Sequence, residues 1–196
     1  MEALAGALWP DTEGDVAKDA LRVALHRLRK LLGGEQSVEV SDGRVALAAN
    51  WCWIDAVALE RVFDGTARNG TAPVAQVLHL YRGHLLPGDA EHPWVLAYRE
   101  RLRSKFLRFV RSTALALETS GEIESAIDLY QRAIEVEPLA ESIYRRLMGS
   151  YARIGRRAEA LDAYRRCRQM LSVVLGIKPS TDTEALHASL QSDSRG

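Results

Sequence analysis

Two cysteines in 196 residues, Cys52 and Cys167, are too few and too far apart for a disulfide framework or a cysteine-rich metal site. Both read as reduced, buried residues. Six prolines and fourteen glycines exclude a fibrous or low-complexity chain. Net charge is absent as well: 26 basic residues balance 26 acidic ones. No apolar run approaches the length of a membrane span, and residues 1–8 lack the charged start and long apolar stretch of a signal peptide. These absences predict a soluble, cytoplasmic chain.

Catalytic signatures are missing too. There is no glycine-rich phosphate loop, no nucleophile elbow and no paired cysteines. His79, His84, Glu91 and His92 form the sole cluster with metal-binding side chains. The five-residue step from His79 to His84 keeps the pair off one helical face, and the others fall in a proline-containing loop. No catalytic residue, metal or cofactor is therefore assigned, and the chain is not read as an enzyme.

What is present is local charge. Residues 16–32 carry Lys18, Arg22, Arg27, Arg29 and Lys30 against Asp19 alone. At 100° per residue, Ala17, Leu21, Leu25, Leu28 and Leu32 fall on one side of a helix over 15–32, with Asp15 as a plausible N-cap. Lys18, Arg22, His26, Arg29 and Lys30 fall on the other side. A short helix over 1–8 precedes it and stops at Trp9-Pro10. After Gly33-Gly34, the alternation of residues 38–49 around Asp42-Gly43 predicts a two-stranded hairpin with a type I′ turn. A basic helix with a hairpin wing beside it is a standard duplex reader. Lys18, Arg22, His26, Arg27, Arg29, Lys30 and Arg44 are the candidate DNA-binding residues. Taken alone, the helix reads better as a core helix whose solvent face happens to be basic; the local excess of four positive charges and the hairpin that follows favour the DNA reading.

Beyond Asn50 the periodicity is helical throughout. Helices are expected over 55–68, ending at Asn69-Gly70, over 73–82 starting at Pro73, and over 94–119. A loop from Gly83 to Pro93 separates the last two and turns at Pro87-Gly88. Charge alternates in blocks: six basic residues against Glu100 and Glu118 over 92–118, six acidic against Arg132 over 121–141, then eight arginines against Glu159 and Asp162 over 144–168. Such blocks imply helices that neutralise one another or charged faces presented to partners.

The last third repeats. A shift of 34 aligns Gly121 with Gly155, Ala126 with Ala160, Ile127 with Leu161, Tyr130 with Tyr164 and Ala133 with Cys167. That period and pattern are tetratricopeptide-like, with units at 107–140 and 141–174. In the second unit the last helix should run on to Leu175 before Gly176 ends it. The first helix of each unit should line a concave groove, which makes Arg108, Arg111, Arg145 and Arg153 candidates for gripping carboxylates. The acidic helix 122–137 or the segment 181–191 could instead neutralise them from within.

These pieces in this order resemble the SARP-type (antibiotic regulatory protein) transcriptional regulators of bacteria and their larger ATPase-linked relatives. The resemblance rests on LRVALHRLRKLLG, the wing VSDGRVAL, WIDAVALERV, LYRGHLLPGD with PWVLAYRERLR, and GRRAEALDAYRRCRQMLSVVLGIKPSTDTEALH. It implies a mainly α chain: a partial winged helix-turn-helix with a β-hairpin wing over 1–50, followed by an all-α, tetratricopeptide-like bacterial transcriptional activator domain over 54–190. It further implies DNA and the transcription machinery as partners. The alternative is a repeat-type protein interaction module whose first 50 residues merely pack. Winged helices of this kind begin with a small β-sheet and a further helix ahead of the stretch that opens this chain. The chain thus resembles a C-terminal portion, with any ATPase upstream. Leu4, Leu8, Leu21 and Leu28 would then expose apolar surface that another copy of the chain could cover in a homo-oligomer.

Overall fold

The computed structural model describes residues 1–69, 74–88 and 93–192. The chain divides into two compact units, Met1–Ala58 and Leu59–Gly196.

In the first unit, helix α1 (Glu2–Leu8) packs against α2 (Gly14–Leu31), and a single 3-10 turn (Glu35–Ser37) leads into β1 (Val38–Ser41) and β2 (Arg44–Leu47). The strands are antiparallel, with Val38 opposite Leu47 and Ser41 opposite Arg44. Asp42 and Gly43 take φ values of 50° and 73°, as a type I′ turn requires. The core is small: Ala5, Ala17, Leu21, Leu25 and Val38, flanked by Met1, Leu4, Trp9 and Val45.

Several details depart from the periodicity. Helix α2 starts one residue earlier than expected, with Glu13 at the N-cap and no side-chain cap; Asp15 sits in the first turn, 3.6 Å from Lys18. The leucine face is buried only as far as Leu25, since Leu28 and Leu32 are 37% and 39% exposed. One hairpin with one short helix covers two helical turns of α2 and no more. Leu21 is 1% exposed and Leu4 packs against the core, so the expected open apolar surface does not include them; Leu8 and Leu28 are exposed. Cys52 is half-buried rather than buried, with its thiol donating to the Ser37 carbonyl at 3.6 Å.

Helix α3 (Asp55–Asn69) carries the chain into the second unit. There follow α4 (Val74–Leu80), α5 (Pro93–Ser120), α6 (Ile123–Val136), α7 (Glu141–Arg153), α8 (Arg157–Leu175) and α9 (Thr181–Ser192). Among the described residues, strands occur only in the β1–β2 hairpin. The expected helix end at Gly70 and start at Pro73 lie outside the described residues, whereas Pro87-Gly88 does form a turn. Helix α4 stops at Leu80, two residues short of expectation. This leaves Tyr81 free to turn inward and stack on Phe106 at 4.0 Å.

The repeat is plain in three dimensions. Antiparallel neighbours α5–α6 and α7–α8 are the two units, and α9 packs on α7 and α8. Ala126, Ala160, Ala133 and Cys167 have no exposed surface, so the helices of each pair approach closely where those small residues stand. Gly121 and Gly155 take positive φ (88° and 75°), and equivalent bonds close both turns: Glu122 N–H to Leu117 O at 2.8 Å, Arg156 N–H to Tyr151 O at 2.9 Å. Helix α8 ends on Gly176 in the left-handed region, where the sequence placed its stop. The first unit's opening helix is not separate, being the C-terminal half of the 28-residue α5.

The charge blocks pair chiefly through α5. Its Arg101 meets Glu60 of α3 at 3.0 Å, Lys105 meets Asp64 at 3.1 Å, and Arg103 meets Glu137 at 2.7 Å. Arg156 joins Glu124 at 3.2 Å.

Candidate nucleic-acid and partner interfaces

The basic side of α2 divides by what each cation already holds. Lys18 lies 3.0 Å from Glu2. Their hydrogen bond lowers the Glu2 carboxyl from its usual range and raises the Lys18 ammonium. Arg22 holds Asp19 at 2.7 Å, with both side chains mostly in solvent. His26 Nδ1 stands 3.5 Å from Glu35. Arg27, Lys30 and Arg44 are exposed and form no ion pair among the described residues.

Arg29 is placed differently. Its Nε and Nη2 donate to the Val38 carbonyl at 3.2 and 2.9 Å, and its Nη1 is 3.4 Å from Glu35. The side chain is 24% exposed and turned to the hairpin. Arg29 therefore fixes the wing to the helix, and its fork geometry supplies two donors to one oxygen. The sequence assigned it with the outward cations because its angular position alone is ambiguous between the flank and the hairpin side.

In the second unit, a surface groove of about 590 Å³ is lined by Arg111 and Glu118 of α5, by Arg145, Arg146 and Arg153 of α7, and by Leu186 of α9. Three of the four expected arginines meet there. Arg108 does not line it, and Arg146 was missed. Arg145 is tied to α9 through Asp182 at 3.7 Å, Thr183 at 3.3 Å and Ser180 at 3.4 Å. Arg153 lies 3.7 Å from Glu118.

Glu118, with a side chain 12% exposed, organises the groove floor. Its Oε1 accepts from Ser150 at 2.8 Å and from Tyr130 at 3.1 Å, which joins α5, α6 and α7 through one carboxylate. Burial, followed by the Glu118 charge and hydrogen bond, pushes the Tyr130 phenol up to about 12. Arg111 and Arg146 remain exposed at the rim. Such a groove can present guanidinium forks to a carboxylate without first breaking the internal pairs. The internal pairing foreseen from 181–191 is present for Arg145, whereas Arg153 is answered by α5 rather than by α6.

His79 is on α4, where Arg82 approaches its ring at 3.4 Å; Glu91 and His92 lie outside the described residues. No described helix is long and apolar enough to cross a membrane.

The chain is thus mainly α, with a helix–hairpin unit followed by a tetratricopeptide-like helical unit. The chain belongs to the bacterial transcriptional activator domain family, whose model matches residues 54–191. It is 27% identical over 201 residues to the transcriptional regulator RedD of Streptomyces coelicolor, covering 95% of this chain and 57% of that protein. It is 25% identical over 204 residues to the transcriptional regulatory protein EmbR of Mycobacterium tuberculosis, covering 95% and 52%. The regulatory protein AfsR of Streptomyces griseus is 28% identical over 191 residues, 93% of this chain and 19% of that protein. These relatives are SARP-type regulators, in agreement with the motifs of the sequence. The chain spans about half the length of the first two. A solved structure of Mycobacterium tuberculosis EmbR in complex with a low-affinity phosphopeptide shares the fold, with a TM-score of 0.58 and 23% identity over 98% of this chain and 54% of that one.

Proposed function

We propose that the chain acts in bacterial transcriptional regulation in the cytoplasm, with residues 1–50 as its DNA-reading part and 54–190 as its interaction domain. Helix α2 enters the major groove and the β1–β2 hairpin rests beside it. The second unit meets the transcription machinery or a second copy of the chain. The observation that carries this reading is the outward basic flank of α2 (Arg22, His26, Lys30, with Arg27 adjacent), next to a wing that Arg29 holds in register. Lys18 and Arg44 flank it and serve as phosphate contacts. In the second unit, Arg111, Arg145, Arg146 and Arg153 suit an acidic partner segment; Arg108, outside the groove, would add to the long-range attraction alone.

A second reading, an interaction module without DNA binding, draws support from the carboxylates already beside Lys18, Arg22 and His26. Duplex titrations at several salt concentrations separate the two. Phosphate neutralisation makes log K fall linearly with log salt, by about 0.9 per phosphate contacted. A slope of about −3 to −5, reduced by about one in Lys30→Ala, is expected. Absence of duplex binding at low salt, by chain that remains folded, would refute the DNA reading and leave the module.

A further inference from the structure

Helix α2 has more than a buried and a basic side. Ala17, Leu21 and Leu25 are 2%, 1% and 7% exposed. By helical angle Lys18, Arg22, His26 and Lys30 run along one outward flank. The other outward flank is apolar: Val16, Val23 and Leu31 are 57%, 51% and 85% exposed, with half-buried Ala20 between the valines and Arg27 beside Val23. Nothing in the fold asks for valine at 16 and 23. They contribute nothing to the core, and a β-branched side chain is a poorer helix former than alanine or lysine at an exposed position.

We propose that Val16 and Val23 are specificity residues that read thymine, placing their methyl groups against the 5-methyl groups of thymines in the major groove. The inference rests on the DNA-binding reading of α2. Apolar side chains recognise thymine there because its methyl is the one apolar group on a base edge. Seven residues separate the valines, about 10 Å along the helix axis, or about three base-pair steps.

The charge around the stripe decides its occupant. Arg27 and Lys30 are unpaired among the described residues, and Arg22 and His26 stand on the neighbouring flank. In a two-fold dimer through this face the same patch would meet itself, which brings those cations together. Duplex phosphates on both sides of a major groove neutralise them instead.

The test starts from duplexes selected out of a random-sequence library by the full chain. Each thymine of the selected site is replaced in turn by deoxyuracil, which removes only the methyl. Affinities are measured for wild type, Val16→Ala and Val23→Ala. Wild type should lose about fourfold at one or two positions, the worth of one buried methyl. The loss should vanish in the matching valine variant, while the salt slope stays unchanged. Tolerance of deoxyuracil everywhere overturns the proposal, as does an undiminished penalty in both valine variants. It is overturned equally if the variants lower the solution mass of the chain without changing these affinities, since the stripe would then be a self-association face. Failure to select or bind any duplex removes the DNA reading itself, and the thymine assignment with it.

Discussion

Arg103 and Glu137 meet with the guanidinium Nε 2.7 Å from the carboxylate Oε2, at a position where Glu137 is only 2% exposed. Tyr81 donates its hydroxyl to the other carboxylate oxygen, and burial followed by that hydrogen bond raises its phenol. One carboxylate thus ties the segment after α4, the middle of α5 and the end of α6. A lone buried charge is costly, so the three groups stand or fall together.

Removing the carboxylate should expose that dependence. Glu137→Ala leaves a buried hydroxyl and a guanidinium without their acceptor, and is expected to cost about 3 kcal/mol. Glu137→Gln keeps an acceptor for Tyr81 and should cost about half as much. Urea unfolding checks both. Changes under about 0.5 kcal/mol in both variants would show that the triad does not hold the unit together.

Arg29→Ala removes both donors from the Val38 carbonyl, and a loss of about 1–2 kcal/mol local to the hairpin is expected. Amide exchange of residues 38–47 should accelerate while the first half of α2 keeps its protection. Arg29→Lys should behave much like the alanine variant there, because an ammonium cannot supply the planar fork. Unchanged hairpin exchange in Arg29→Ala would return Arg29 to the set of outward cations.

The docking of α9 should depend on acid pH. Burial works against ionisation of Glu141, but hydrogen bonds from Ser180 and Thr183 outweigh it and hold the carboxyl below its ordinary value of 4.5. Ser180 reaches it through both Oγ, at 2.6 Å, and its backbone N–H, at 2.7 Å. A group depressed in the folded state stabilises fully above its unfolded value and loses that contribution as pH falls through the folded one. Exchange protection in 181–192 should therefore weaken below pH 4.5, ahead of α5–α6. Glu141→Gln should remove the dependence. Equal loss across the whole unit would place the acid sensitivity elsewhere.

The features legible in the sequence were those set within one helix or one turn. Gly121 and Gly155, Ala126 and Ala160, and Tyr130 and Tyr164 are fixed by spacing along the chain, so the repeat is legible in the sequence itself. The Asp42-Gly43 turn was legible for the same reason. What stayed hidden depends on how helices cross. Glu118 as the floor of the arginine groove, Arg103 with Glu137 34 positions away, and Arg99 capping the Leu85 and Leu86 carbonyls look like ordinary surface charges in a linear reading. The split of the leucine face at Leu25 was likewise invisible, because it depends on how far the hairpin reaches.

The unbroken course of α5 gives the repeat array a direction. Stacked repeats ordinarily fray from either end, since each touches only its neighbours. Here the opening helix of the first unit is the continuation of a rod about 42 Å long. At the end of its other half Phe106 stacks on Tyr81, and just past the midpoint Phe109 meets Phe63 of α3. Peeling the array from that end means dismantling those aromatic contacts along a 28-residue helix, whereas at the opposite end a 12-residue helix is held by Leu190, one Tyr164–His187 stack and a few polar contacts. Melting should thus run like a zipper with one end stitched, entering at α9 and reaching α5 last.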